Sequence, residues 1–297
     1  PMADAFNGHM QLALNPGWLL TVDESMIAWR GKVGLLDPSK CPFRSFVPRK
    51  PEPLGAEVKT TGCALSGIML FAEICEGKAS HAAAKYYGTK ASDGAPYGHT
   101  TATTLRLVDP WLGSNRVLAG DSWFASVMTG EALAERGMYF IGDVKTATKR
   151  SCNEVLVDDT TDERGAWAVR TSELKLGGDK TMPIFQVSHR RGETVHKFVS
   201  TCGTTLAGTN DMVYFEDDEH RANENLPTGY EQDRKCCRVL NDYSLAQPCI
   251  DRHNRYRQFI LGMEKRLVTN RFDLRFGTSF MGIHLTYTFF AHRHFNE

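Results

Sequence analysis

Three apolar segments of this chain each run into an aspartate. They are LLTVDES, which contains Asp23, VLAGDSW, which contains Asp121, and QPCIDRHN, which contains Asp251. The first two have the pattern of short buried strands, and the third begins a helical pattern. Strand termini on the same edge of an α/β sheet are neighbours, so these segments predict a fold that gathers carboxylates at one rim of a sheet.

Asp121 by itself allows two interpretations. Aspartate is a favoured N-cap, so its only role could be to begin the helix predicted after it. Alternatively, it holds a metal together with the other two aspartates, because clustered carboxylate oxygens suit a hard cation such as Mg²⁺ or Mn²⁺. The chain contains 35 acidic residues, so position alone does not decide between these interpretations.

Strand and helix patterns alternate through residues 1–144. WLLTV is predicted as a strand that stops at Asp23 and Glu24, and VKTTGCALSGIMLFAEICEG as two strands around a turn. SVMTGEALAERG has helical spacing and ends on Gly137. Residues 31–59, rich in proline, glycine and basic side chains, are predicted as an irregular connection with one short strand. We therefore expect residues 1–144 to form the first part of a mixed α/β core.

The pattern changes after residue 144. WAVRTSELKL, MPIFQVSHR and VHKFVSTC alternate apolar and polar residues, and no helical pattern lies among them. This predicts a β-rich insertion domain over residues 145–242. Residues 243–297 have apolar residues at three- and four-residue spacings, which predicts C-terminal helices that pack back on the core.

Composition excludes several classes of protein. The formal net charge of zero excludes a uniformly basic nucleic-acid binder, so any basic surface must be local. No apolar stretch approaches the roughly 18 residues of a membrane span, and no secretory signal is visible. The eight cysteines include no C-x-x-C pair, which favours reduced thiols over a disulfide framework or a structural zinc site.

Several motifs together resemble one known family. TVDESMIAWRGK, FVPRKPEPLGAEVKT, RVLAGDSWFAS and IDRHN are similar to segments of the catalytic domain of piggyBac-type transposases, and the resemblance runs from about Trp18 to His294. It implies an α/β fold, a ribonuclease-H-like mixed sheet flanked by helices, with an all-β insertion before the last catalytic acid. That architecture agrees with the pattern of elements described above.

The resemblance also implies a chemistry. Asp23, Asp121 and Asp251 fall on the three catalytic aspartates of the family, which favours the metal interpretation of Asp121. The implied reaction is phosphodiester cleavage and strand transfer at TTAA sites with two Mg²⁺ or Mn²⁺ ions. The implied partner is double-stranded DNA, as transposon ends and target, and the implied location is the nucleus. A homodimer would use helical and zinc-binding regions of the family plan that this sequence does not contain.

The residues after Asp251 depart from the family pattern. Members commonly place a fourth acid three residues later, where this chain has Asn254. An amide oxygen can still join a metal site, but it brings no negative charge, so Asn254 is expected to bind Mg²⁺ more weakly than a carboxylate. The neighbouring His253 is predicted as a surface or DNA-facing residue, because the adjacent acids suit a harder cation.

Locally basic segments lie close in sequence to the aspartates. From these we predict contacts with DNA phosphates through Arg30, Lys32, Lys50, Lys145 and Lys149. Residues 252–275 add further basic side chains. About half of all these charges are expected to be ordinary solvated ones.

A second function stays open at this point. The chain could be a domesticated remnant of a transposase, a scaffold that binds DNA or a protein partner without catalysis. Asn254 and the absent modules favour this alternative, whereas the three retained aspartates favour the enzyme. A metal-dependent nuclease unrelated to transposition is the least favoured interpretation.

Overall fold

A computed structural model describes residues 2–29, 43–48, 50, 52–145, 148–162, 165–177, 179–202, 212–215, 231–234, 237–267, 269 and 271–296. Its strands are β1 (Leu19–Ala28), β2 (Arg44–Phe46), β3 (Leu54–Cys63), β4 (Met69–Ile74), β5 (Val117–Gly120), β6 (Tyr139–Asp143), β7 (Trp167–Lys175), β8 (Thr181–Arg191), β9 (Thr194–Ser200), β10 (Met212–Phe215) and β11 (Glu231–Arg234). Its α-helices are α1 (Met2–Ala13), α2 (Lys78–Ala83), α3 (His99–Leu107), α4 (Val127–Ala134), α5 (Asn153–Asp159), α6 (Arg238–Ala246), α7 (Pro248–Arg255), α8 (Met263–Arg266) and α9 (Phe272–Asn296).

Nine of these strands form one mixed sheet. Its order is β2-β3-β1-β5-β6-β9-β8-β7, with β4 also paired to β3, and β10 and β11 form a separate pair. Strand β1 is antiparallel to β3 and parallel to β5, which is in turn parallel to β6. Helices lie between the strands in sequence, so the predicted mixed α/β core is confirmed.

Strand β1 is longer than the sequence pattern predicted. The prediction that it stops at Asp23 and Glu24 was wrong, because it continues to Ala28. Strand β3 pairs with β1 from Leu20 through Ala28, whereas β5 pairs with it only from Leu19 to Val22. The β3 hydrogen bonds therefore keep the second half of β1 extended after its parallel partner has ended. Asp23 lies at the first position where that side of β1 is open.

The central strands are buried on both faces. Leu20, Val22 and Leu118 belong to one apolar core, whereas Leu19 and Val117 belong to another on the opposite face. Helices α1, α3, α4 and α9 contribute to the first core, and α6 contributes to the second. Burial of each such side chain is worth about 1.5–3 kcal/mol, which accounts for the nearly continuous apolar runs in these strands.

The range predicted as a β-rich insertion is joined to the central sheet. Strands β7, β8 and β9 extend that sheet through the antiparallel pairing of β9 with β6. The expectation that this range holds no helix was wrong, since α5 packs against β8 and buries Leu156 completely. One buried apolar residue in a short helix leaves too weak a periodicity to recognise. The domain boundaries at residues 145 and 242 stay a prediction.

The C-terminal segment is helical, as predicted. Helix α7 continues into a π-helical turn, Tyr256–Leu261, before α8 and the 25-residue α9. Among the described residues, no helix combines the length and apolar character that a membrane span requires. Six cysteines in the described part of the chain are free thiols.

Gly142 of β6 lies in a closely packed part of the interior. A Cβ atom there would lie 2.6 Å from the Cβ of Ala125 and 2.6 Å from the ring of Phe140. We expect Gly142→Ala to lower the free energy of unfolding by about 1–3 kcal/mol, measured by urea denaturation, because the buried neighbours must shift. Gly177→Ala is the control, since its Cβ would meet nothing within 4 Å. Equal stabilities of the two variants would contradict this packing.

Candidate active site

The parallel pairing of β1 and β5 brings two aspartates together. Val22 is the partner of Gly120 in the register of the two strands, and Asp23 and Asp121 each follow by one residue. Both side chains are half-buried. Asp23 Oδ1 accepts a hydrogen bond from the backbone N–H of Glu24 at 2.7 Å, and Asp121 Oδ1 accepts one from the N–H of Trp123 at 2.9 Å. One oxygen of each carboxylate is thus oriented by the backbone.

Asp121 is not the cap of the helix that follows it. The N-cap of α4 is Ser126, whose hydroxyl accepts the backbone N–H of Thr129 at 3.0 Å. Asp121 instead begins a tight turn, in which its carbonyl oxygen accepts the N–H groups of Phe124 and Ala125, both at 3.0 Å. The capping interpretation is therefore excluded, and the turn presents the carboxylate at the rim.

Asp251 reaches the same place from another element. It lies in the first turn of α7 and is exposed, whereas the other two aspartates are half-buried. All three aspartates line one pocket of about 200 Å³. The remaining lining residues are Thr21, Val22, Lys50, Ala119, Gly120, Tyr243 and Gln247.

The pocket shifts the pKa of Asp23. Its pKa is raised to about 7, chiefly by burial and to a smaller extent by the carboxylates of Asp251 and Asp121. The ammonium groups of Lys50 and, more weakly, Lys59 oppose this shift. Asp23 therefore holds a proton near neutral pH for a substantial fraction of the time, and a cation in the pocket would displace that proton.

The donor atoms in the pocket are those that a hard cation prefers. Three carboxylates supply oxygen ligands of the kind that bind Mg²⁺ and Mn²⁺. Within the described ranges, however, no group of three or more His, Cys, Asp or Glu side chains is arranged to hold a metal ion. The residue types fit a metal site, whereas the trio does not form a finished coordination sphere.

Asn254 lies beside this pocket rather than in it. Its Oδ1 accepts a hydrogen bond from the Ser25 hydroxyl at 3.0 Å and a longer one from Arg257 Nη2 at 3.4 Å. Together with Asp251 and Lys50 it lines a neighbouring pocket of about 440 Å³. The amide oxygen therefore ties α7 to β1, and its role as a metal ligand stays a prediction.

His253 is buried, so its prediction as a surface residue was wrong. It is 1% exposed, and its ring stacks on Phe290 with centroids 6.0 Å apart. Burial, together with the nearby charge of Arg257, lowers its pKa to about 3. Ile250, His253 and Arg257 recur at helical spacing and are all buried, which identifies the inner face of α7 and of the π-helical turn that continues it.

The predicted DNA-binding residues occupy different positions. Lys50 lines the aspartate pocket, where its ammonium donates to the carbonyl oxygen of Glu24 at 3.2 Å. Lys145 and Lys149 are exposed and follow β6, whose Gly142 pairs with Gly120 at the rim. Arg30 and Lys32 lie outside the described residues.

Two basic residues of the C-terminal segment do not face solvent. Arg257 and Arg275 are each 1% exposed. Arg257 forms an ion pair with Glu264 and donates to the carbonyl oxygen of Met26 at 2.9 Å, and Arg275 donates to that of Leu267 at 2.8 Å. Both residues connect elements of the interior, so they are removed from the predicted basic surface.

Sequence reasoning missed the charged cluster behind the rim. Lys59 is buried and forms ion pairs with Glu24 at 3.0 Å and Glu57 at 2.6 Å, and its Nζ lies 3.6 Å from the centroid of the Trp123 ring. The sequence did not distinguish Lys59 as a buried residue, because it lies within a basic, proline-rich stretch. Only the β1–β3 register places it opposite Glu24.

The fold and its acidic rim define a ribonuclease-H-like domain of the kind found in transposases. The family model described as Transposase IS4 matches residues 1–270, and the chain belongs to this family. A piggyBac transposase, solved by cryo-EM as a synaptic complex with hairpin DNA, is similar with a TM-score of 0.65 and 18% sequence identity. The match covers 98% of this chain and 50% of that one, so this chain spans about half the length of the matched transposase. No curated protein sequence matches the chain.

The raised pKa of Asp23 predicts how stability depends on pH. In the unfolded chain this carboxyl has a pKa of about 3.9, so the folded state binds more protons between pH 4 and 7. With divalent cations chelated, the free energy of unfolding should fall as the pH rises through this window. Asp23→Asn removes the titrating group and should remove this fall. In the wild type, the fall in the free energy of unfolding should reach up to about 4 kcal/mol by pH 8.

Urea denaturation at intervals from pH 4 to 8 measures this difference. Asp162→Asn is the control, because that side chain is fully exposed and its ion pair with Arg190 at 2.9 Å is a surface one of small energetic weight, so the shape of the pH profile should stay unchanged. A profile for Asp23→Asn that runs parallel to the wild type would show that the buried carboxyl does not set this pH dependence.

Proposed function

We propose that this chain is the catalytic domain of a piggyBac-type transposase. It cleaves and joins DNA phosphodiester bonds at TTAA sites by means of divalent metal ions held by Asp23, Asp121 and Asp251. The observation that carries the proposal is the lining of one pocket by aspartates from β1, from the turn after β5 and from α7. Membership of the IS4 transposase family supports it.

The proposed cofactor is a pair of Mg²⁺ or Mn²⁺ ions. When bound, such ions lower the pKa of a water or 3′-hydroxyl nucleophile and stabilise the leaving oxygen. Asp23 and Asp121 would offer oxygens oriented by backbone N–H groups, and Asp251 would approach from the exposed turn of α7. Asp23 would give up its proton as the cation enters, because a bound cation favours the ionised carboxylate.

The proposed substrate is double-stranded DNA. Exposed Lys145 and Lys149 follow the strand next to β5, and their charges would neutralise phosphates on that side of the rim. Lys50 would contribute from inside the pocket, and Arg30 and Lys32 complete the proposed set. The freed 3′ end would attack the opposite strand to form a hairpin at a TTAA end and would later be joined to a TTAA target. The similar piggyBac transposase was solved with hairpin DNA, which supports this class of substrate.

The proposed setting follows from that substrate. A transposase acts on chromosomal DNA, so we propose a nuclear location. We also propose that the active assembly is a homodimer formed through regions outside this chain, which spans half of the matched transposase.

A second candidate function is a DNA-binding scaffold without catalysis. The observation that favours it is Asn254, an amide at the position where the family commonly has an acid. Its oxygen is engaged by Ser25 and Arg257, so it adds neither charge nor an unoccupied lone pair to the aspartates without rearrangement.

A cleavage assay separates the two functions. With Mn²⁺ present, the chain should nick a duplex that carries a TTAA flank, and Asp121→Asn should slow nicking about 100-fold or more, because metal-assisted charge stabilisation supplies several kcal/mol. Asp162→Asn, an exposed control, should retain full activity. Nicking is followed on end-labelled DNA, with a duplex lacking TTAA in parallel.

Two results would count against catalysis. Binding of the duplex without Mn²⁺-dependent nicking would favour the scaffold. Nicking that is equally fast in Asp121→Asn would show that the aspartate pocket is not the active site.

The DNA interface makes a separate prediction about salt dependence. Lys145→Ala and Lys149→Ala should each reduce the slope of log affinity against log salt concentration by about 1, because each removes one phosphate contact. Lys175→Ala, on the edge strand β7 far from β5 in the sheet, should leave the slope unchanged. Fluorescence anisotropy between 50 and 200 mM salt, a range that shifts such affinities strongly, measures these slopes. A wild-type slope near zero would exclude binding through phosphates.

A further inference from the structure

Lys59 is a buried cation on the opposite face of the sheet from the aspartates. It pairs in register with Glu24, so the two side chains share a face, whereas Asp23, the residue before Glu24, points to the other face. Only 2% of the Lys59 side chain is exposed. Its ammonium lies 3.0 Å from Glu24 Oε2, 2.6 Å from Glu57 Oε1 and 3.6 Å from the centroid of the Trp123 ring.

Two of the partners of Lys59, Glu24 and Trp123, are residues that orient the aspartates. The backbone N–H of Glu24 donates to Asp23, and the backbone N–H of Trp123 donates to Asp121. The Lys59 ammonium therefore contacts the side chains of both residues whose backbone amides orient the two carboxylates at the rim, and the other oxygen of Glu24 lies 3.7 Å from Lys50 Nζ. This connection runs through the sheet and brings Lys59 into contact with neither aspartate.

We propose that Lys59 is a positioning residue of the metal site. Its ammonium fixes Glu24 and Trp123, and through their backbone N–H groups it fixes one oxygen each of Asp23 and Asp121. The inference rests on the proposed function, because it assigns the purpose of the positioning to metal binding.

Physical chemistry explains why a buried ammonium suits this role. A charge removed from water is costly unless it keeps its partners, so Lys59 is confined to the one arrangement that satisfies it. Tryptophan offers the strongest aromatic face for a cation, and the distance of 3.6 Å lies well within the range of such contacts. Trp123 also contacts His99 and Phe124 edge-on. Loss of Lys59 would therefore loosen the ring without removing all of its packing.

The first measurement follows Trp123 directly and without metal. Protein labelled with 5-fluorotryptophan should give one ¹⁹F signal for each of its five tryptophans, and the signal lost in Trp123→Phe identifies Trp123. In Lys59→Met this signal should shift and broaden, whereas Lys59→Arg, which keeps the cation, should restore it. Lys85→Met is the control, because Lys85 also pairs with a carboxylate, that of Asp109, and lies 4.8 Å from an aromatic ring.

The second measurement is the affinity for Mn²⁺ alone, determined by titration calorimetry. Lys59→Met should weaken binding about 10-fold, as loss of a residue that supports metal ligands typically does, and Lys59→Arg should recover most of it. Trp123→Leu, which keeps both ion pairs of Lys59, should weaken binding to a similar extent. Lys85→Met should bind Mn²⁺ as the wild type does.

Lys59→Met could fail to fold, because it leaves the carboxylate of Glu24 buried without its closest cation. The double variant Lys59→Met with Glu24→Gln removes that carboxylate and should fold, while still showing the altered Trp123 signal and the weaker Mn²⁺ binding. A purely structural role would lower the melting temperature but leave the Mn²⁺ affinity of the folded variants unchanged.

The outcomes separate this inference from the proposed function. An unmoved Trp123 signal, or unchanged Mn²⁺ affinity in folded Lys59 variants of a protein that binds Mn²⁺ normally, would overturn the role of Lys59 alone. A wild-type protein that takes up no Mn²⁺ would overturn the proposed metal chemistry and this role with it. A shifted signal together with weakened, arginine-rescued Mn²⁺ binding would support both.

Discussion

The parallel pairing of β1 with β5 is the constraint on which the candidate site depends. It ends at Val22 and Gly120, so the next residue of each strand is an aspartate with no further partner across that edge. Strand β3 holds β1 extended past this point, which keeps Asp23 in strand geometry while one side of it stays open. The tight turn after β5 fixes the backbone of Asp121, because its carbonyl oxygen accepts hydrogen bonds from the next residues of the turn. A change in this register by one residue would turn these side chains to the other face of the sheet.

Charge around the rim is balanced from both faces of the sheet. Lys50 enters the pocket from the same side as the aspartates, whereas Lys59 lies behind the sheet among carboxylates and an aromatic ring. Both cations lower the pKa of Asp23, yet burial prevails and brings it to about 7. The clustered carboxylates therefore favour a proton on Asp23, and they would favour a divalent cation for the same electrostatic reason.

Helix α7 serves the site and the interior with different faces. Asp251 is exposed and lines the pocket, whereas His253 is buried, as is Arg257 in the π-helical turn that continues the helix, and Asn254 accepts a hydrogen bond from Ser25 of β1. These contacts fix the helix against the sheet, and the position of Asp251 follows from them. They also explain why counting basic residues along the C-terminal segment overestimated its basic surface, since an arginine that holds an internal ion pair and carbonyl oxygens is unavailable to DNA.

The sequence alone determined that this chain builds a mixed α/β core and that three aspartates end or begin its apolar elements, because alternation, helical spacing and strand-end acids are local patterns. It also placed α4 and the helical C-terminus correctly. Only the tertiary structure decided that β1 continues past Asp23, that His253 is buried and that the Lys59 ammonium packs against the Trp123 ring. Strand register and side-chain burial depend on which distant segments become neighbours, and no local pattern records that choice.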